Sequence, residues 1–187
     1  MATTKIQAAP QTAKRSFSAG SVISAIGRWI VRNRIYLIAF AIPAVLTYLA
    51  YALFGLYPFG EESVLCLDLN GQYVYYFEAL RDAFWGDGSI FYNWSRNLSG
   101  EFMGIIGYYL ASPFTLIVML LPEKFMLSSL LIMQLCKLGA AGATFNYFLQ
   151  KRRGVQPYPS LLFSTMYAMM AYGVIQLIDP MWLDGLV

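Results

Sequence analysis

YPFGEESVLCLDLNGQYVYYFEALRDAFWGDGSIFYNWSRNLSGE, residues 57–101, is the stretch that decides how this chain is organised. It carries Glu61, Glu62, Asp68, Glu78, Asp82, Asp87 and Glu101 against Arg81 and Arg96, with aromatic residues throughout. Ahead of Tyr36 the balance reverses, because Lys5, Lys14, Arg15, Arg28, Arg32 and Arg34 stand there without an acid. Residues 35–57 in between hold no charge and, at about 1.5 Å per residue, are long enough to cross a hydrocarbon core of about 30 Å. Basic residues are retained on the cytoplasmic side, so the N-terminus reads as inside and the acidic loop as outside the cell membrane.

Composition points the same way. The chain is 58% hydrophobic and 12% charged, against about 25% charged residues in a soluble domain. Its net charge of +3 comes from the N-terminal arm and from Lys151, Arg152 and Arg153. Such clusters suit anionic inner-leaflet lipids, and no nucleic-acid partner is expected. Ala50-Tyr51-Ala52 resembles a signal cleavage site, but the apolar stretch before it is longer than a signal core, so a retained anchor is expected. Cys66 and Cys136 lie at different depths and the chain has no histidine, which argues against both a disulfide framework and a zinc site. The sequons at Asn93 and Asn97 are read as without consequence.

Four apolar runs follow, 35–57, 103–121, 125–149 and 158–178. Four crossings would leave Lys151, Arg152 and Arg153 outside, against the charge rule. The run 103–121 is interrupted by Ser112-Pro113, begins with Gly104 and Gly107, and is marginal for spanning. The expected order is therefore a cytoplasmic basic arm (1–34), a first transmembrane helix (35–57), an exoplasmic loop with an amphipathic helix (58–102), and a re-entrant or juxtamembrane element (103–121). A second transmembrane helix (125–149), a cytoplasmic basic loop (150–157), a third transmembrane helix (158–178) and an exoplasmic segment (179–187) complete it. The fold class is an all-α polytopic membrane protein. On this order Asp179 and Asp184 emerge on the side of Asp68; four full crossings would put Asp184 inside.

In the loop, Tyr73, Tyr76, Phe77, Leu80 and Phe84 recur at helical spacing, which predicts an amphipathic helix lying on the outer leaflet. Asp68 stands before it. Its carboxylate suits an N-cap, and equally a general base that takes a proton from an acceptor hydroxyl. Lys137 is isolated in an apolar segment, where a charge costs about 2.5–3.5 kcal/mol on insertion scales. A lipid phosphate, an acidic residue of the longer protein beyond Val187, or Gln134 one turn away are its candidate partners. Gly139, Ala140, Ala141, Gly142 and Ala143 form a small-residue face that predicts close helix packing.

The blocks Asp68-Leu69-Asn70-Gly71-Gln72-Tyr73, Phe91-Tyr92-Asn93-Trp94-Ser95, Gly107-Tyr108-Tyr109-Leu110-Ala111-Ser112-Pro113-Phe114, Lys137-Leu138-Gly139-Ala140-Ala141-Gly142 and Met181-Trp182-Leu183-Asp184 together resemble the YfhO family of bacterial membrane proteins. The resemblance implies a glycosyltransferase of the GT-C-like fold, this chain being its N-terminal module. The enzyme would take a sugar from a polyprenyl-phosphate carrier such as undecaprenyl phosphate and place it on a cell-envelope polymer such as teichoic acid. Asp68 occupies the place of that fold's essential first-loop acid. Gln72, Trp94, Arg96, Tyr108, Tyr109, Lys137 and Asp184 are the implied substrate-binding residues. Arg96 would clamp phosphate or pair with Glu101, and Tyr108 and Tyr109 would stack on sugar or anchor the interface. A divalent cation bridging Asp68 and Asp184 is conceivable but not expected. Members of the family are longer, so the chain by itself is expected to be an inactive fragment. The alternative is a non-catalytic transporter or assembly subunit.

Overall fold

The computed structural model describes residues 19–95 and 100–187, which are mostly helical. The chain divides into two compact units, Met1–Arg34 and Ile35–Val187, and helix α1, Ala19–Leu53, contributes to both. Most of the basic arm lies outside the described residues. In the first unit the helix is exposed, with Ile23, Trp29 and Val31 set among Arg28, Arg32 and Arg34. The helix starts well before the charge-free window because arginine is a strong helix former. It stops at Leu53, just before Gly55 turns left-handed at φ 64°.

Helix α5, Met126–Arg153, is the second long element. Gly154 closes it at φ 65°, while the amide of Val155 donates back to the carbonyl of Leu149 at 3.0 Å. Lys151, Arg152 and Arg153 occupy its last turn, where they complement the helix dipole. α1 and α5 are the two described helices long and apolar enough to cross a membrane.

Within the second unit they meet at small residues. A Cβ on Gly142 would lie 2.4 Å from the carbonyl oxygen of Ala39, and one on Gly139 would lie 2.9 Å from the ring of Phe40. The contact has a backbone cause. Pro43 carries no N–H, so the carbonyl of Ala39, four residues earlier, loses its intrahelical partner. The bare Gly142 backbone fills the space against it, close enough for a weak Cα–H···O contact.

The stretch 158–178 is not one helix. Helix α6, Pro157–Ala168, runs back along the C-terminal half of α5, with Asn146 donating to Ser160 at 3.0 Å and Phe145 stacked on Tyr167 at 4.1 Å. It breaks at Met169-Met170, and the chain continues as the short helices α7, Ala171–Ile175, and α8, Pro180–Leu183. Twelve residues of α6 span about 18 Å, short of a bilayer core. Gly173 sits where a Cβ would be 2.5 Å from the carbonyl oxygen of Ala168, and Pro180 withholds the amide that a continuing helix would need.

The loop after α1 enters helix α2, Val74–Trp85, through a π-helical turn, Leu69–Tyr73. The stretch 103–121 consists of helix α3, Met103–Ile105, a second π turn, Ile106–Leu110, and helix α4, Thr115–Leu120. Neither piece has the length of a span. Between α2 and α3, Tyr92 pairs with Glu101 and Asn93 with Gly100 in a two-stranded ribbon. Tyr73, Phe77 and Leu80, expected against lipid, are instead buried against Phe102, Ile105, Val118 and the N-terminal third of α5. Tyr75, Phe84 and Trp85 keep exposed surfaces. Arg81 fastens α2 to the end of α4, donating to the carbonyls of Val118 at 2.7 Å, Met119 at 3.2 Å and Leu121. Trp85 adds a bond to the Met119 carbonyl at 3.0 Å. The orphan carbonyls of a helix C-terminus are thereby satisfied.

Candidate functional site

Three segments converge beside α5: the π turn at Leu69–Tyr73, the π turn at Ile106–Leu110, and the chain around Asp179. A π turn inserts an extra residue and redirects its side chains, and such turns concentrate at functional sites. Tyr73 and Tyr109, one from each turn, stand edge to face with centroids 5.5 Å apart. Tyr76 and Tyr108 flank Tyr109 at 5.1 and 4.8 Å.

Asp68 occupies the first position of this cluster and is exposed. The residue before it, Leu67, is held in the left-handed region at φ 48°, a strained conformation for a branched side chain. The carboxylate of Asp68 makes no capping bond to the helix backbone; it accepts the Gln72 amide at 3.1 Å. This removes the N-cap reading. Its acidic neighbour is Asp179. Burial, then the charge of Asp68, then a side-chain hydrogen bond with it, hold the Asp179 carboxyl above the usual carboxylate range. The phenol of Tyr73 is fully buried, and its hydroxyl has no hydrogen-bond partner among the described residues. The Met181 backbone lies near that hydroxyl without completing a bond. Burial raises this phenol first, with Asp179, Tyr109 and Asp68 adding to the effect.

Lys137 has a different task from the one its isolation suggested. Its ammonium lies 2.8 Å from Asp184 and donates to the Pro180 carbonyl at 2.8 Å; the Lys137 side chain is 2% exposed and that of Asp184 33%. Ser112 donates to the same Asp184 oxygen at 3.0 Å. One turn earlier Gln134 donates to the Leu177 carbonyl at 2.7 Å and accepts from Tyr51 at 2.6 Å. Chain that leaves helical geometry at membrane depth must have its carbonyls satisfied. Lys137 and Gln134 do this where the helix after α6 is broken.

Of the residues singled out from sequence, Asp68, Gln72 and Tyr109 come together, with Tyr108 alongside. Lys137 and Asp184 pair with each other. Trp94 lies apart, on a pocket beyond α2, and Arg96 is outside the described residues. Asp179 was placed on the side of Asp68 without a role of its own, and Tyr73 was read only as part of the amphipathic helix and the first family block. A buried lysine needs an acid, and assigning Asp184 to Lys137 would have left Asp179 for Asp68.

Residues 39–187 match the family model of bacterial membrane protein YfhO, which is most of the chain. The chain belongs to the YfhO family. No curated protein and no solved structure matches it. The match begins within α1 and takes in both π turns, the broken helix and the acids around Asp68. For this YfhO chain, family and the two long apolar helices agree on a membrane protein.

Proposed function

We propose that the chain forms the outer-face part of a membrane glycosyltransferase that moves a sugar from a polyprenyl-phosphate carrier to a cell-envelope polymer such as teichoic acid. The observation that carries the reading is Asp68, an exposed first-loop carboxylate released from capping, held by Gln72 and set beside Asp179, whose carboxyl is raised by burial and by Asp68. The acceptor hydroxyl attacks the anomeric carbon, the bond from that carbon to the carrier phosphate breaks, and Asp68 takes the hydroxyl proton. Asp179, hydrogen-bonded to Asp68, holds the base in position. Tyr109, half-buried against Tyr73, is the aromatic ring beside the reacting groups, and Arg96 is assigned to the carrier phosphate. Lys137 and Asp184 hold the broken segment after α6 in place. No metal is assigned to the step.

The buried Lys137–Asp184 pair favours a second reading, a transporter with an ion path through α5. Asp68→Asn separates the two. In the full-length protein it is expected to lower sugar transfer by about 10²–10⁴-fold with expression and insertion intact. Transfer at the wild-type rate by a well-inserted Asp68→Asn protein rules out the glycosyltransferase assignment of Asp68.

A further inference from the structure

Helix α2 also borders a concave feature, which shares Tyr76 with the aromatic cluster near Asp68. A cavity of about 390 Å³ opens between α2, the turn that follows it and the β1–β2 ribbon, Tyr92–Asn93 and Gly100–Glu101. Its size falls within the roughly 300–1,000 Å³ of small-molecule clefts. Tyr75, Tyr92 and Trp94 supply aromatic surface, and Glu78, Asp82 and Asp87 supply carboxylates. Trp94 is 82% exposed and meets Tyr92 edge to face at 4.8 Å, so its ring is displayed and propped rather than packed away.

The lining selects its ligand by exclusion. Among the described residues every charged group in the wall is acidic, which repels phosphates, uronates and nucleotides. The acids form no group able to hold a metal ion among the described residues, so a point cation is poorly matched. Displayed aromatic faces beside carboxylates suit a molecule with hydroxyls to donate, flat C–H surface to stack and, best, an ammonium to place over a ring. Burial, then Glu123 and Asp82, push Glu78 above the ordinary carboxylate range, a repulsion that an arriving cation relieves. We infer that this pocket binds saccharides, amino sugars in preference to neutral ones. The site stands without the transfer reading.

The test is calorimetric titration of full-length protein in detergent with oligomers of glucosamine, of N-acetylglucosamine and of glucuronate. The glucosamine oligomer is expected to bind most tightly and the glucuronate oligomer not at all. Trp94→Ala, at an exposed position that does not threaten folding, should weaken binding of both amino-sugar oligomers about tenfold. Asp82→Asn should erase the preference for the free amine, and Asp68→Asn should bind like the wild type even if it no longer transfers sugar. Titrating the same glycan free and on a lipid carrier assigns the source: equal affinity points to the polymer, tighter binding of the lipid form to the carrier-borne sugar. Absence of binding by folded protein, undiminished binding by Trp94→Ala, or glucuronate binding as tightly as glucosamine overturns the inference.

Discussion

Asp179 marks the division between what a sequence shows and what only packing shows. Its folded-state carboxyl is raised above its ordinary 3.8, so the native state holds a proton that the unfolded chain releases. As pH rises from the ordinary value through the raised one, the unfolded state binds fewer protons than the native state and stability falls. Asp179→Asn removes that proton, so its thermal melting point should lose the decline seen in the wild type over this window; an unchanged slope would detach Asp179 from Asp68. Lys137 gives a companion expectation. Lys137→Met leaves Asp184 and the Pro180 carbonyl short of a partner, and the loss should fall at the low end of about 3–5 kcal/mol, because Asp184 is one-third exposed. Adding Asp184→Leu should recover part of it, and equal melting of single and double variants would show that the ion pair is not the source. Asp68 was legible through its place after the first span and through family likeness. Asp179 was not, since two acids five residues apart look alike until Lys137 claims one of them.

Among the elements, α1 and α5 were legible because long charge-poor runs are fixed by bilayer physics, and the glycine-alanine face of α5 announced their crossing. The π turns were not, because an inserted residue breaks the 3.6-residue pattern by which helices are read. The break after α6 escaped for a related reason. An apolar run looks equally hydrophobic whether its backbone is helical or kept at depth by Lys137 and Gln134. Helix crossing supplies a graded prediction. Gly142→Ala drives a methyl into the backbone oxygen of Ala39, which cannot rotate away, whereas Gly139→Ala meets the Phe40 ring, which can. Gly142→Ala should therefore cost the more of the two, within the about 1–3 kcal/mol typical of overpacking. Thermal unfolding of both variants in one detergent decides it, and a larger loss at Gly139 would mean that the helices do not cross at Ala39.

At the scale of the whole molecule, the question is which face of the membrane holds Asp68 and the broken segment. The segment's anchors lie at Gln134 and Lys137, the third and fourth turns of α5, whereas Lys151, Arg152 and Arg153 close its far end. At about 1.5 Å per residue, Lys137 and Arg153 are separated by about 24 Å of helix, most of a hydrocarbon core. The acids and the basic cluster thus belong to different levels of one helix, and the charge rule places the basic end inside. Single cysteines test this in intact cells with Cys66 and Cys136 replaced. Gln156 is exposed just past the basic cluster, and Gly185 has open space where a side chain would grow. Gly185→Cys should react with a small membrane-impermeant reagent, and Gln156→Cys should react only after the membrane is permeabilised. The reverse pattern would put Asp179 and Asp68 on the cytoplasmic side, away from any carrier-linked sugar on the outer face, and an outer-face transferase could not be built from these residues.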